Sequence, residues 1–555
     1  MEKRMILALV LSFFVLMAWS FLFGPKQGQG PSKKEETIEK RKITTPEPVG
    51  IATPSPSPAI PSEIAQKGDR IIPKIEEKEI MVETPLYMAI FSNIGATIKS
   101  FKLKKYHLTT DPDSPLVELV SMENSVEDFF QINFDHQSNM NHEKIIYEVN
   151  EESFRLDPGS PPRDLTFSAI TSGGVSINQT FRIYPDKYPI DLLISLSNNS
   201  DKRVEGNLKA HLKNLPPEKK KSYYAFSGMA LLLDDELKEI KPKKMEEDKY
   251  LSGRIGWMAY ESGHFMTAII PDDQSKGSFQ GRLLPSGLLE GNYIAPPISL
   301  ESHGQTLSSY TLYMGPRDLS FLKQLGKKLD LAINFGWTDI IAKPLLYTLR
   351  FFNQYVKNYG ISIILLTILI KILFWPLTHK SYKSMKEMQK LQPLMAKLRE
   401  KYKDDKQQMN KELMALYKTY KVNPMGGCLP MIIQIPVFFA LFRILGNSIE
   451  LRHAPFLWWI NDLSAPDRLF NFTFQIPFMS PPYGIPVLTL MMGASMFIQQ
   501  KMTPTPGDPT QAKMMMFLPV IFTVMFINFP SGLVLYWLIN NILSIGQQYR
   551  IKRAA

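Results

Sequence analysis

Cysteine is nearly absent. The 555-residue chain has one, Cys428, which excludes an intramolecular disulfide and a cysteine-based zinc cluster. It reads as a small residue near a helix start rather than a reactive thiol. Carboxylates are missing from one set of places. Five apolar segments after residue 358 (359–377, 425–445, 484–500, 514–529 and 531–549) hold no Asp and no Glu. Coupling to protons or Na⁺ usually draws on intramembrane carboxylates or unwound half-helices, so a secondary transporter or channel is disfavoured. No Gly-x-x-x-x-Gly-Lys-Ser/Thr loop occurs, so no ATP motor of that kind is encoded. The eight histidines do not gather with carboxylates. No metal site, acid/base site or cofactor is expected, which also argues against an anchored sugar enzyme. Gly263-His264-Phe265 comes nearest to a motif and reads as a satisfied core histidine.

What is present divides sharply. Hydrophobic residues make up 44% and charged ones 21%, but these averages mix a polar, strand-like middle with apolar segments at the start and after 358. That pattern is a multi-domain membrane protein. The net charge is +11. Its positives concentrate in particular loops, so they bear on topology and not on any nucleic-acid sequence. Of the 28 methionines, many lie in or beside the apolar segments, where an unbranched side chain suits an adaptable surface.

Lys3 and Arg4 precede an apolar run from Met5 to Phe23 with no Ala-x-Ala-like cleavage site. Residues 1–24 read as an uncleaved signal anchor with its N-terminus in the cytoplasm. Residues 25–78 carry Pro46, Pro48, Pro54, Pro56, Pro58, Pro61 and Pro73 and read as a tether. Residues 79–317 read as a large β-sandwich: Val175, Ile177, Phe181 and Ile183 alternate with polar residues, as do Ile190, Leu192, Ile194 and Leu196, before a turn at Asn198-Asn199-Ser200.

Over 318–358 the period lengthens. Trp337, Ile341, Leu345, Leu349, Phe352 and Val356 recur every three or four residues, predicting an amphipathic helix on the membrane surface or against the β-domain. Residues 359–378 predict the second span. Residues 379–423 hold twelve Lys/Arg against five Asp/Glu, predicting a helical hairpin broken at Asp404-Asp405 and lying in the cytoplasm. Residues 424–555 hold four more spans, the last two separated at Pro530-Ser531-Gly532. Six spans return the basic C-terminus to the cytoplasm and leave 25–358 outside it.

One residue does not belong in its segment. Lys371 lies within Tyr359–Leu377, and insertion scales put a lysine at a helix centre at about 2.5–3.5 kcal/mol. Three outcomes stay open: deprotonation by burial, snorkelling to the cytoplasmic interface, or facing a water-filled cavity. Thr367, Lys371 and Trp375 fall at i, i+4 and i+8. Gln434 lies inside the next span, and Tyr536 and Asn540 share a face of the last. These six line a wet groove, or make ordinary interhelical hydrogen bonds. A groove cation would attract the acidic tail of a polypeptide that must pass partway across.

Asn423-Pro424-Met425-Gly426-Gly427-Cys428-Leu429-Pro430 resembles the signature that opens the third span of the YidC/Oxa/Alb membrane-protein insertases. Phe529-Pro530-Ser531-Gly532-Leu533 and Tyr536-Trp537 resemble that family's last turn. Ala454-Pro455-Phe456, Trp459-Ile460 and Asp462-Leu463-Ser464 resemble its outer loop. Leu329-Asp330-Leu331, Phe335-Gly336-Trp337 and Pro376-Leu377-Thr378 are similar to its approach to the second span, and Asn93-Ile94-Gly95-Ala96 to the start of the periplasmic domain in its Gram-negative form.

The resemblance implies a five-helix core with a groove open to lipid and cytoplasm, and a periplasmic β-supersandwich similar to mutarotase-like folds. It implies nascent membrane proteins as clients, work in the inner membrane with or without the Sec translocon, and a cytoplasmic hairpin that receives the nascent chain or ribosome. The family usually places Arg where Lys371 stands. Lysine keeps the charge and loses the planar fork.

Overall fold

The computed structural model describes residues 77–121, 129–136, 145–171, 173–215, 226–273, 276–420, 422, 429–502 and 509–553. The signal anchor, nearly all of the tether and Asn423–Cys428 of the family signature lie outside the described residues. Two compact units emerge. The larger comprises Glu77–Lys390 and Asn423–Ala555; the smaller includes Leu391–Val422.

The β-rich part follows its alternation. Val175–Ile183 buries every second residue and pairs antiparallel with Pro189–Asn198, setting Phe181 opposite Leu192 and Ile177 opposite Leu196. The expected turn forms as Asn198 Oδ1 accepts the Ser200 amide at 3.0 Å. One sheet has five strands, in the order Leu116–Ser121, Thr97–His107, Tyr87–Ser92, Glu79–Glu83, Phe154–Arg155; a second has thirteen. They meet at Phe91, whose ring centroid lies 5.2 Å from Phe181 and 6.2 Å from Phe167. Edge contacts between such rings add about 0.5–1.5 kcal/mol to the area they bury.

His264, expected as a satisfied core histidine, is half-buried, and its buried Nε2 finds no partner among the described residues. Burial, aided by Arg452 and Arg317, pushes its imidazole down to about 3. Burial and nearby Lys209 push His211 down to about 4. An imidazole held neutral in the fold stabilises fully above its ordinary value of 6.5 and loses that contribution as pH falls toward the folded value. The unfolding midpoint of the β-rich part is therefore expected to drop as pH falls from about 6.5 to 4, and His264→Gln to flatten the drop. Urea titrations of the full chain in detergent at stepped pH check this; a midpoint that holds constant over that range would contradict it.

Beyond the strands the single helix predicted over 318–358 is divided. Asp318 Oδ1 accepts the amides of Ser320 at 2.7 Å and Phe321 at 3.2 Å, capping α1 (Leu319–Leu325). Gly326, at φ +75°, ends it; a left-handed residue there suits glycine. Two short 3₁₀ turns follow, Leu329–Ala332 and Gly336–Thr338, before α2 (Asp339–Val356). Ala342, Leu346 and Leu349 of α2 are buried, while Ile340, Tyr347, Phe351 and Tyr355 form a second, exposed apolar face.

The segment expected to form the second span is also broken. α3 (Tyr359–Leu373) and α4 (Trp375–Lys390) meet at a 64° bend. Pro376 lacks the amide that would bond the Ile372 carbonyl, so a straight helix cannot continue. In the smaller unit α5 (Gln392–Lys401) and α6 (Lys406–Thr419) pack together, and Asp405 Oδ1 caps α6 through the Gln407 and Gln408 amides. Then come α7 (Leu429–Asn447), α8 (Val487–Met502), α9 (Pro509–Phe526) and α10 (Ser531–Arg553). α8 and α9 approach at Gly493, where a Cβ would stand 2.1 Å from Thr523 Oγ1. Among the described residues no single helix is long and apolar enough to cross a membrane; α3 and α4 pass as a bent pair, by length and composition.

Candidate substrate groove

α3 starts at Asn358, whose Oδ1 accepts the Ile361 amide at 3.0 Å and whose Nδ2 donates to the Phe456 carbonyl at 3.0 Å. The helix is apolar on nearly every side, so its one cation must turn toward another helix or out along its stem. It turns inward. Lys371 is 9% exposed, and its Nζ donates to Ser544 Oγ of α10 at 2.6 Å. Ser544 in turn donates to the Asn540 carbonyl at 2.7 Å, one turn earlier. The hydroxyl is thus spent as a donor on its own helix and presents its lone pairs to the ammonium. A hydrogen bond to a charged group contributes about 1.5–3 kcal/mol. No carboxylate pairs with Lys371 among the described residues.

Of the other expected groove residues, Gln434 and Tyr536 come together: Gln434 Nε2 donates to the Tyr536 hydroxyl at 3.2 Å. Asn540 sits beside Lys371 through its backbone, half-buried, with no side-chain hydrogen bond among the described residues. Thr367 is buried, but its hydroxyl closes on the Ile363 carbonyl of its own helix at 2.6 Å. Trp375 lies past the bend at Phe374 and is more than a third exposed. The i, i+4, i+8 alignment assumed a straight helix, and the bend takes Trp375 off it.

The sequence reading missed the residues that complete the seam. Gln547 Nε2 donates to Thr378 Oγ1 at 3.0 Å, and Asn541 Nδ2 donates to Ser495 Oγ at 2.9 Å. The signal was available: Tyr536, Asn540, Ser544 and Gln547 continue one stripe at i, i+4, i+8 and i+11. Three polar rungs result, Gln434–Tyr536, Lys371–Ser544 and Thr378–Gln547, between helices otherwise packed with Leu, Ile and Phe.

A β-rich domain is followed by apolar helices that hold, among the described residues, one buried cation in a polar seam, and two family models divide the chain the same way. Residues 79–348 match the model described as YidC periplasmic domain, and 351–555 the model described as 60Kd inner membrane protein. Curated relatives named membrane protein insertase YidC, from Syntrophobacter fumaroxidans and Syntrophus aciditrophicus, are each 43% identical to it over the full length of both chains. The chain belongs to the YidC family of membrane protein insertases. A crystal structure titled as an active YidC insertase with its first transmembrane domain resolved covers 86% of this chain and 93% of its own, at 18% identity and a TM-score of 0.37; a superposition that loose carries no argument.

Proposed function

We propose that this chain inserts integral membrane proteins into the inner membrane and helps them fold, without covalent chemistry. Six spans cross the bilayer: the 1–24 anchor and a five-helix core built from α3 with α4, α7, α8, α9 and α10. Both termini and the 379–423 hairpin lie in the cytoplasm, and 25–358 in the periplasm. The hairpin receives the nascent chain or the ribosome, and the protein works alone or beside the Sec translocon.

One observation carries the mechanism: Lys371 is turned inward onto Ser544 in a seam of polar side chains, with no carboxylate to neutralise it among the described residues. The cation attracts the acidic tail of a client. The rungs Gln434–Tyr536 and Thr378–Gln547 offer hydrogen bonds to the tail's backbone above and below. The client's own apolar segment then partitions into lipid, which drives the step. An inside-negative potential favours outward movement of an acidic tail by about 2.3 kcal/mol per charge per 100 mV.

Purified protein in liposomes, without nucleotide, is expected to insert a small single-span client several-fold above empty liposomes. Protease protection of the client reads the result. No insertion above the empty vesicles would reopen the transporter reading, and protein-dependent ion flux would favour it.

A further inference from the structure

The connection between α7 and α8, residues 448–486, is built inside out for a loop in water. Between His453 and Pro486 it contains no Lys and no Glu, and the charges it does contain turn inward. Asp462 Oδ1 accepts from the His453 amide at 3.1 Å and from the amide and hydroxyl of Ser464 at 2.8 and 2.7 Å. Asp467 accepts from Trp459 Nε1 at 2.6 Å and from the Leu488 amide at 2.5 Å, at the start of α8. Arg468 donates to the carbonyls of Pro482 and Ile527, each at 2.8 Å. Asn528 fastens the loop to the α9–α10 turn, accepting from the Ser480 amide and donating to the Phe478 carbonyl, both at 2.8 Å.

With its charged groups consumed internally, the loop presents aromatics outward, interleaved with the exposed uncharged polar residues Asn461, Asn471, Thr473 and Gln475. Trp458 is 86% exposed, Phe478 82%, Phe470 67% and Phe474 62%. Three of them hold left-handed backbone, Trp458 at φ 53°, Phe470 at 58° and Phe478 at 63°. For a bulky residue that is strained by about 1 kcal/mol or more, and such strain persists where the surroundings over-determine it. The hydrogen bonds above supply that constraint. Four large exposed aromatics on a frame whose charges turn inward are not what water selects. The two helices that follow the loop also expose apolar side chains, Leu490, Met491 and Ile498 on α8 and Phe517, Val520 and Ile521 on α9.

We infer that residues 457–478 form an aromatic platform seated in the periplasmic-side lipid interface, with Trp458, Phe470, Phe474 and Phe478 at headgroup level. Trp458 favours that level because its indole joins an apolar body to an N–H donor, and the phenylalanine rings favour the adjoining headgroup/acyl boundary because they are apolar throughout. The inference rests on the reading that α8 and α9 span the bilayer. The occupant is lipid, not protein: the platform's rim carries no free charge to match a partner's.

The test uses the full chain with Cys428→Ser, reconstituted in phosphatidylethanolamine/phosphatidylglycerol vesicles. Nitroxides are placed by Phe470→Cys and Phe478→Cys, with Phe517→Cys on α9 and Asp201→Cys on the β-rich part, whose side chain is 99% exposed, as references. The ratio of oxygen to water-soluble nickel-chelate accessibility at 470 and 478 is expected to lie several-fold above that at 201 and below that at 517. A ratio equal to that at 201 overturns the platform. Low accessibility to both agents would mean cover by protein, and overturns it too. Aqueous values at 517 as well would sink the membrane reading itself, a distinguishable result. With the aromatics intact, the emission lost on Trp458→Phe should be quenched by acyl-brominated lipid and not by acrylamide; quenching by acrylamide alone would count against the platform.

Discussion

Lys371→Ala is expected to slow insertion of an acidic-tailed single-span client at least tenfold, and Lys371→Arg to leave most of it. Two unit charges 4 Å apart attract by roughly 4 kcal/mol at the effective dielectric of a protein surface, and by roughly 1 kcal/mol in bulk water. A polar seam between helices falls between these limits, and 1.4 kcal/mol is already a factor of about ten. Ser544 bears on the same number. It holds the ammonium 2.6 Å from its hydroxyl, so Ser544→Ala frees the stem to extend toward the cytoplasm. That variant should fall between wild type and Lys371→Ala, and Ser544→Thr, which keeps the hydroxyl, should recover. A client with a neutral tail should be inserted at similar rates by all four variants and wild type. Rates in liposomes at low and at 0.5 M salt check the set, since a screened attraction weakens with salt. Equal insertion of the acidic client by every protein would reduce Lys371 to a residue that ties α3 to α10.

The sequence made some of this legible and hid the rest for physical reasons. Lys371 was conspicuous because one cation in an apolar run has no cheap local explanation. Its partner was not: a serine within a helix fits almost any surroundings, and only the register against α3 singles out Ser544. The break at Asp404-Asp405 could be read because an aspartate preceding a helix caps it, as Asp405 does. The bend at Phe374 was signalled by Pro376, but an apolar segment of spanning length masked the signal. The two faces of α2 merged in the sequence, since Ile340, Tyr347, Phe351 and Tyr355 fall between the residues that turn to the core. The strand alternation was plain, yet the order of the thirteen-stranded sheet was not. Pairings such as Phe130–His136 with Val204–Asn214 join segments about seventy residues apart, and no local pattern encodes that. The inverted loop between α7 and α8 was invisible as well, because composition does not say which way a charge points.

Arg317→Met is expected to destabilise the β-rich part by about 3–5 kcal/mol at pH 8, the usual range when one partner of a buried ion pair is removed. Arg317 stands where the last strand leaves the sheet, almost wholly buried. Its guanidinium lies 3.0 Å from the Glu261 carboxylate and donates to the Gly263 carbonyl at 2.5 Å and to that of Ala332. One side chain therefore ties two strand ends to the 3₁₀ turn ahead of α2. Burial pushes the Glu261 carboxyl up to about 7, against the pull of Arg317. A raised carboxyl means the folded state holds its proton longer than the unfolded chain, so its contribution to stability falls as pH rises from about 4.5 through 7. Without Arg317 that pull is gone, and the carboxyl rises further. The deficit of the variant should thus be larger at pH 8, where wild type carries the ionised pair, than at pH 5, where Glu261 is protonated in both proteins. Urea unfolding of the two full-length proteins in detergent at both pH values reads the difference, in which ionisations common to the two largely cancel. A deficit independent of pH would mean that Arg317 acts only through the two carbonyls it holds. A deficit below about 1 kcal/mol would mean that the joint relaxes around the loss. The expected large and pH-dependent deficit would make this ion pair the fastening between the strand domain and the helices that follow it.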